Sequence, residues 1–215
     1  MSNFGIIRMM FDIEKEHWKD DTLCIGIDEV GRGAFAGPMA VGAVVLPQNF
    51  EEIYSRKPKN IVIRDSKKMT ELQRERSYEW IITQALGHIV EYIEPSVIDA
   101  QGLGYATQRG FTAVAEYLYK AHKATIALID GFEIKKNQLF PSSNQHVLTK
   151  GEDKSISIAA ASIVAKVTRD KLMIELSEKH PEYLWHKNKG YGTQQHRQAI
   201  HTHGLSQFHR RSFIH

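Results

Sequence analysis

The chain has 215 residues, 42% of them hydrophobic, and 28 Lys and Arg against 25 Asp and Glu give a net charge of +3. That length suits one domain with a small appendage, and no apolar run reaches the ~18 residues that a membrane-spanning helix needs. The opening MSNFGIIRMMFDIEKEHW has acids soon after its apolar patch and no small-residue cleavage site, which argues against a signal peptide. The lone Cys24 excludes an internal disulfide and suits a reducing cytoplasm.

Residues 1–20 read as a charged N-terminal arm anchored by Trp18. Apolar runs of strand length follow: one to about Ile27 and one over Met39 to Leu46, closed by Pro47 and Asn49. Their tight connection predicts a β-hairpin. Residues 51–60 are polar and read as a loop, and Ile61-Val62-Ile63 as either a short strand or more of that loop. Thr70 with Gln73 three residues later is a capping-box pattern, which predicts a helix from there to Gly87. His88–Ile93 is a third strand. Pro95 opens a helix to about Lys123, weakened by Gly102, Gly104 and Gly110. ATIALIDG is a fourth strand and His146-Val147-Leu148 a last one. The run after Lys150 is a long helix ending before Pro181, with Ala159 to Ser162 small enough for close packing. A short helix begins near Thr193 and stops at Gly204.

No Asp or Glu occurs after Glu182, while Lys187, Lys189, Arg197, Arg210 and Arg211 do. The tail is therefore +5 and residues 1–182 sum to −2, a basic end that suits a polyanion. Six histidines crowd the same tail, at 186, 196, 201, 203, 209 and 215. With no cysteine beside them they read as solvated or phosphate-facing rather than as a zinc site.

The stretch LCIGIDEVGRGAFAGPMAVGAVVL, from Leu23 to Leu46, is the one that carries chemistry. Asp28 and Glu29 close a buried strand, where carboxylates are costly unless a cation meets them. Gly31, Arg32 and Gly33 follow, and glycines let backbone N–H groups approach a ligand. Asp130 ends the fourth strand, at a sheet edge where α/β folds bind ligands. Ser66, Lys67 and Lys68 precede a helix, donors of the kind that meet phosphates.

GIDEVGRG with AGP resembles the opening signature of the ribonuclease HII family. DSKKM at Asp65, LIDG at Leu128, the run from Lys150 to Asp170 and KGYGT at Lys189 resemble its further segments, in the family order. The resemblance covers roughly residues 23–213. It implies an α/β ribonuclease H-like fold, a mixed sheet flanked by helices, over 21–180, with a basic helical extension at 181–215. It implies an endonuclease that cuts RNA in RNA–DNA hybrids and nicks 5′ of ribonucleotides embedded in duplex DNA, leaving 3′-hydroxyl and 5′-phosphate ends. Asp28, Glu29, Asp130 and Glu152 would hold two Mg²⁺ or Mn²⁺ ions, an all-oxygen set that suits these metals. Gly31, Arg32 and Gly33 would read the 2′-hydroxyl, Ser66, Lys67 and Lys68 the backbone, and Tyr191 the adjoining sugar. The family motif Lys-Gly-Asp is here Lys150-Gly151-Glu152, followed by Asp153, and the register of Ser155 and Ala159 favours Glu152 over Asp153. Asp170 reads as a surface acid. The expected partners are hybrid and ribonucleotide-containing duplexes, and the expected state is a monomer. The rivals are a junction resolvase of the same fold and a non-catalytic nucleic-acid-binding protein.

Overall fold

The structure, a computed structural model, describes residues 10–214, so the first half of the expected arm and His215 lie outside the described residues. Helix α1 (Asp12–Trp18) leads into strands β1 (Cys24–Val30) and β2 (Met39–Val45) and a short helix α2 (Phe50–Ser55). Helix α3 (Glu71–Gln84), strand β3 (Gly87–Ile93), helix α4 (Pro95–His122), strand β4 (Ile126–Asp130) and strand β5 (Gln145–Leu148) follow. Helices α5 (Ile156–Lys179), α6 (Trp185–Asn188) and α7 (Gln194–His203) complete the chain.

The five strands form one mixed sheet in the order β3-β2-β1-β4-β5. The β1–β2 and β2–β3 pairs are antiparallel, and the β1–β4 and β4–β5 pairs parallel. Strand alternation sends side chains to opposite faces. Ile25 and Ile27 of β1 and Val41 and Ala43 of β2 therefore pack with Phe111, Val114 and Leu118 of α4 on one face. On the other face lies α5, and there the sheet presents glycines. A Cβ on Gly26 would fall 2.1 Å from the Ser157 carbonyl carbon, and one on Gly42 2.6 Å from the Ala161 oxygen. Helix and sheet backbones thus touch, as the small residues Ala159 to Ser162, all buried, predict.

Several elements differ from expectation, each for a local reason. Strand β1 runs on to Val30, because β2 pairs with it as far as Val30. Residues 50–55 are helical rather than a loop, since Phe50 and Tyr54, four apart, both turn into the core. Ile61–Ile63 is no strand: the Val62 N–H is met by Ser77 Oγ and the Ile63 N–H by Tyr54 Oη, so side chains replace a ladder. In α4 Gly102 leaves helical geometry at φ +81° and kinks the helix. Asp170 is buried and paired with Lys166 at 2.8 Å, not a surface acid.

The tail also departs from its reading. His196 and His209 are buried, in a small cluster with Trp185 and Tyr183. This cluster packs on the loop between β1 and β2: Arg210 N–H donates to Phe35 O at 2.7 Å and Gly37 N–H to Phe208 O at 2.9 Å. None of the described helices is long and apolar enough to cross a membrane.

Candidate active site

The site begins where the sheet opens. The parallel β1–β4 ladder ends at the pair Ile27–Ile129, so Asp28 and Asp130 each stand one residue beyond it. Strand β1 remains bound to β2 on its other side, which holds Asp28 and Glu29 in extended backbone at the mouth of the gap. Asp28 points toward α5, where the nearby Ser162 hydroxyl favours its charged form, and its Oδ1 accepts the Glu29 N–H at 2.8 Å. Asp130 Oδ1 accepts the Gly151 N–H at 2.7 Å. Gly151 opens the 3-10 turn Gly151–Asp153, so this bond ties the turn bearing Glu152 to the end of β4. Glu152 is buried and lies 3.7 Å from Lys67 Nζ. Asp153 turns away, exposed, with both oxygens on Lys68 Nζ at 2.8 and 2.9 Å.

Electrostatics mark the corner. Burial pushes the Asp28 carboxyl up to about 8, Ser162 works against that rise, and the neighbouring Glu29 and Asp130 charges add to it. Burial also raises Glu29, opposed chiefly by Arg32, whose guanidinium lies 3.4 Å from Glu29 Oε1. Burial disfavours the Lys67 ammonium, but Glu152, Asp28, Asp65 and Asp130 outweigh it and hold it above the ordinary lysine value. The four acids and Lys67 therefore share one electrostatic neighbourhood.

Beside the acids lies a loop with its carbonyls gripped from below. Gly31 and Gly37 adopt φ +82° and +80°, and a Cβ on Gly31 would strike Arg169 Nε. Arg169 of α5, fully buried, donates to Pro38 O at 2.9 Å, Ala36 O at 3.2 Å and Lys189 O at 2.8 Å. Arg210 donates to Arg32 O at 2.8 Å and twice to Gly37 O. Phe35 and Ala36 N–H groups donate to Gly190 O, so the Gly31–Pro38 and Lys189–Gly192 loops interlock. Tyr191, on the second loop, is 36% exposed and its ring lies over the Arg169 guanidinium. Gly33 is exposed with open space above it, and the Arg32 guanidinium stacks on Phe132 at 4.4 Å.

Of the residues singled out from sequence, Asp28, Glu29, Asp130, Glu152 and Lys67 come together, with Gly31, Arg32, Gly33 and Tyr191 on the adjoining loops. Lys68 is drawn aside by Asp153 and Asp65. Ser66 does not face outward: it is 2% exposed and its hydroxyl meets Ser162 Oγ at 3.0 Å. Sequence reading gave Ser162 to packing, Arg210 to the basic tail and His196 to the solvated or phosphate-facing histidines, and passed over Arg169; here His196 Nδ1 lies 3.0 Å from Tyr191 O. Arg169 had a signal, a cation one turn beyond Ala165 on the helix face that packs on the sheet. Asp99, unassigned from sequence, accepts the N–H groups of Arg211 and Ser212 and holds the tail.

The donor set fits a hard divalent cation. Of the three buried carboxylate oxygens without a hydrogen-bond partner among the described residues, two belong to Glu29 and Glu152 at this corner. Buried, partnerless anionic oxygens are costly until a cation meets them, and a set made of oxygens alone favours Mg²⁺ or Mn²⁺. As placed, no three acidic, histidine or cysteine side chains among the described residues stand close enough together to hold an ion.

Comparison with known proteins gives the same direction. The family model described as ribonuclease HII matches residues 25–215. A ribonuclease HII of Rickettsia bellii (strain OSU 85-389) is 44% identical over 190 residues, 87% of this chain and 88% of that protein. The crystal structure of ribonuclease H2 from Pyrococcus horikoshii OT3 aligns with TM-score 0.72 at 24% identity, over 89% of this chain and 93% of that one. That of Bst-RNase HIII in complex with Mn²⁺ aligns with TM-score 0.67 at 19% identity, over 89% and 67%. The two structures share the ribonuclease H fold. With a family match over nearly the whole chain and the motif residues gathered at one sheet edge, this chain belongs to the ribonuclease HII family of endonucleases, hydrolases that act on RNA in RNA–DNA hybrids.

Proposed function

We propose that this protein nicks duplex DNA on the 5′ side of an embedded ribonucleotide, and cuts the RNA strand of hybrids, with two Mg²⁺ or Mn²⁺ ions, acting as a monomer in the cytoplasm. The observation that carries the reading is the convergence of Asp28, Glu29, Asp130 and Glu152 at the opened end of the β1–β4 ladder, with buried oxygens lacking partners. Bound there, the ions would activate a water and stabilise the leaving 3′-oxygen of an in-line displacement. The Mn²⁺ complex of the structurally similar Bst-RNase HIII is in keeping with that choice of metal.

The protein's own groups supply the rest. The Glu29 N–H orients the Asp28 carboxylate, whose charged form Ser162 favours, and the Gly151 N–H orients Asp130. Lys67, 80% exposed along its side chain and beside Glu152, reaches out for the substrate phosphates. The 2′-hydroxyl of a nucleotide that follows the scissile phosphate cannot attack it, so it serves as the mark of RNA and must be read. Gly31, Arg32 and Gly33 do this with backbone groups held rigid by Arg169 and Arg210. Tyr191, tied to the same frame through Arg169, packs on the adjoining sugar. Ser66 acts from inside, through Ser162, rather than on phosphate.

The test uses three labelled duplexes: all DNA, DNA with one ribonucleotide, and RNA–DNA hybrid, each with Mg²⁺, Mn²⁺ or EDTA. The expected result is a metal-dependent nick 5′ of the ribonucleotide, with 3′-hydroxyl and 5′-phosphate ends and an intact all-DNA duplex. Ends carrying a 2′,3′-cyclic phosphate would overturn the reading.

A further inference from the structure

The N-terminal arm lies before the family match, which begins at residue 25, yet it reaches the active-site helix. Helix α5 starts at Ile156, and the first N–H groups of a helix have no partners within it. Here the arm provides two. Ile156 N–H donates to Met10 O at 2.9 Å, and Ser157 N–H donates to Glu14 Oε1 at 2.9 Å. The same Glu14 oxygen accepts the Ser155 hydroxyl at 2.5 Å, and Ser155 Oγ accepts the Ile158 N–H at 3.2 Å. Glu14 is fully buried, and its Oε2 has no partner among the described residues. Burial disfavours its charged form, and the Ser155 hydroxyl and Ser157 N–H offset that only in part, so its carboxyl lies above the ordinary glutamate value. Phe11 and Trp18 fix the arm in the core beside Ile156 and Ala160.

What the arm grips matters for the site. Ser157 is the residue against which Gly26 closes, two positions before Asp28. Ser155 N–H returns to Gly151 O, in the turn that carries Glu152 and holds Asp130. We infer that Glu14 is a positioning residue for the cleavage site, setting through Ser155 and Ser157 the distance between the Glu152 turn and the end of β1. The inference rests on the reading of those carboxylates as metal ligands.

The experiment compares full-length Glu14→Ala, Glu14→Asp and Glu14→Gln with the parent and with Phe111→Leu, a core change on the opposite face of the sheet. Two readouts are taken where all are folded: the Mn²⁺ midpoint of the thermal shift, and amide hydrogen exchange across residues 151–158. Direct partners of metal ligands are typically worth 10- to 100-fold in affinity, and Glu14 acts one contact further out, so Glu14→Ala should raise the Mn²⁺ midpoint about threefold and quicken exchange in that segment. Glu14→Gln keeps the accepting oxygen and should restore both readouts. Glu14→Asp, one methylene short, should lie between, and it carries the test if Glu14→Ala does not fold. Phe111→Leu should lower the melting temperature and leave the Mn²⁺ midpoint in place. A Glu14→Ala or Glu14→Asp protein with the parent's midpoint and parent-like exchange would overturn the inference. A parent without any Mn²⁺ response would overturn the metal reading instead, and exchange alone would then decide the brace.

Discussion

At the scale of single residues, Asp28 carries the most information. Its carboxyl is buried beside two other acids and lifted to about 8, well above the 3.8 of a free aspartate. The folded chain therefore holds a proton that the unfolded chain releases, and the associated stability, intact below about pH 4, is lost as pH rises through about 8. In EDTA at pH 7.5, Asp28→Asn should melt above the parent, by roughly 2–4 °C for each 1 kcal/mol relieved in a chain of this size. Mn²⁺ should raise the parent and close the gap. The same variant, and Asp130→Asn, should lose nearly all cleavage while keeping duplex binding, because removing an acid near phosphates cannot weaken their attraction to the protein. Near-parent cleavage by either would remove that residue from the ligand set. Asp130 was legible from sequence as an acid at a strand end, whereas Asp28 was expected there but lies two residues inside β1, at the end of its pairing with β4. Their surroundings were not legible, because Ser162 and Gly151 come from elements distant in the chain.

At the scale of elements, the strands and long helices were legible because each has a strong period and a clear stop. Thr70 and Gln73 form the capping box their spacing predicts, and α5 ends at Lys179, before Pro181. Helix α2 was not legible, since only Phe50 and Tyr54 of its six residues are buried, too few for a pattern. The tail histidines misled for a related reason: composition marks a histidine as polar, but a buried neutral ring packs well when both nitrogens are met. His196 accepts from Trp185 Nε1 at 3.0 Å, with its Nδ1 on Tyr191 O, and His209 Nε2 lies 3.1 Å from His196 Nε2. Burial, with the neighbouring His196, pushes His209 down to about 4 from an ordinary 6.5. Stability from this cluster is therefore full above about pH 6.5 and lost as pH falls toward 4. Asp28 acts in the opposite sense over this range, so the test is a comparison: urea denaturation at pH 7.5 and at pH 5 should show His209→Gln gaining more stability in acid than the parent does. Equal acid sensitivity would place the titrating group elsewhere.

At the scale of the molecule, the fold divides its labour between two ends of α5. The N-terminal end faces the carboxylates and the arm, and Arg169 further along fastens the two loops that flank them. The acid-free tail was legible as basic, but not which cations face outward. Arg210 is buried under the β1–β2 loop, whereas Lys187, Arg197 and Arg211 are exposed. Neutralising those three to Gln should flatten the salt dependence of duplex binding, by roughly 0.9 in the log–log slope for each phosphate deprived of its cation. An unchanged slope would move the footprint off the tail. Tyr191→Ala should instead cost cleavage at a single ribonucleotide more than it costs affinity. The central claim, that four carboxylates form one metal site, is tested most directly by calorimetric titration of Mn²⁺ into the parent, Asp28→Asn, Glu29→Gln, Asp130→Asn, Glu152→Gln and Asp153→Asn. The account predicts binding to the parent, weakening of about tenfold or more in each of the first four variants, and parent-like binding in Asp153→Asn. Loss in Asp153→Asn with Glu152→Gln unaffected, or binding that survives all four substitutions, would contradict it.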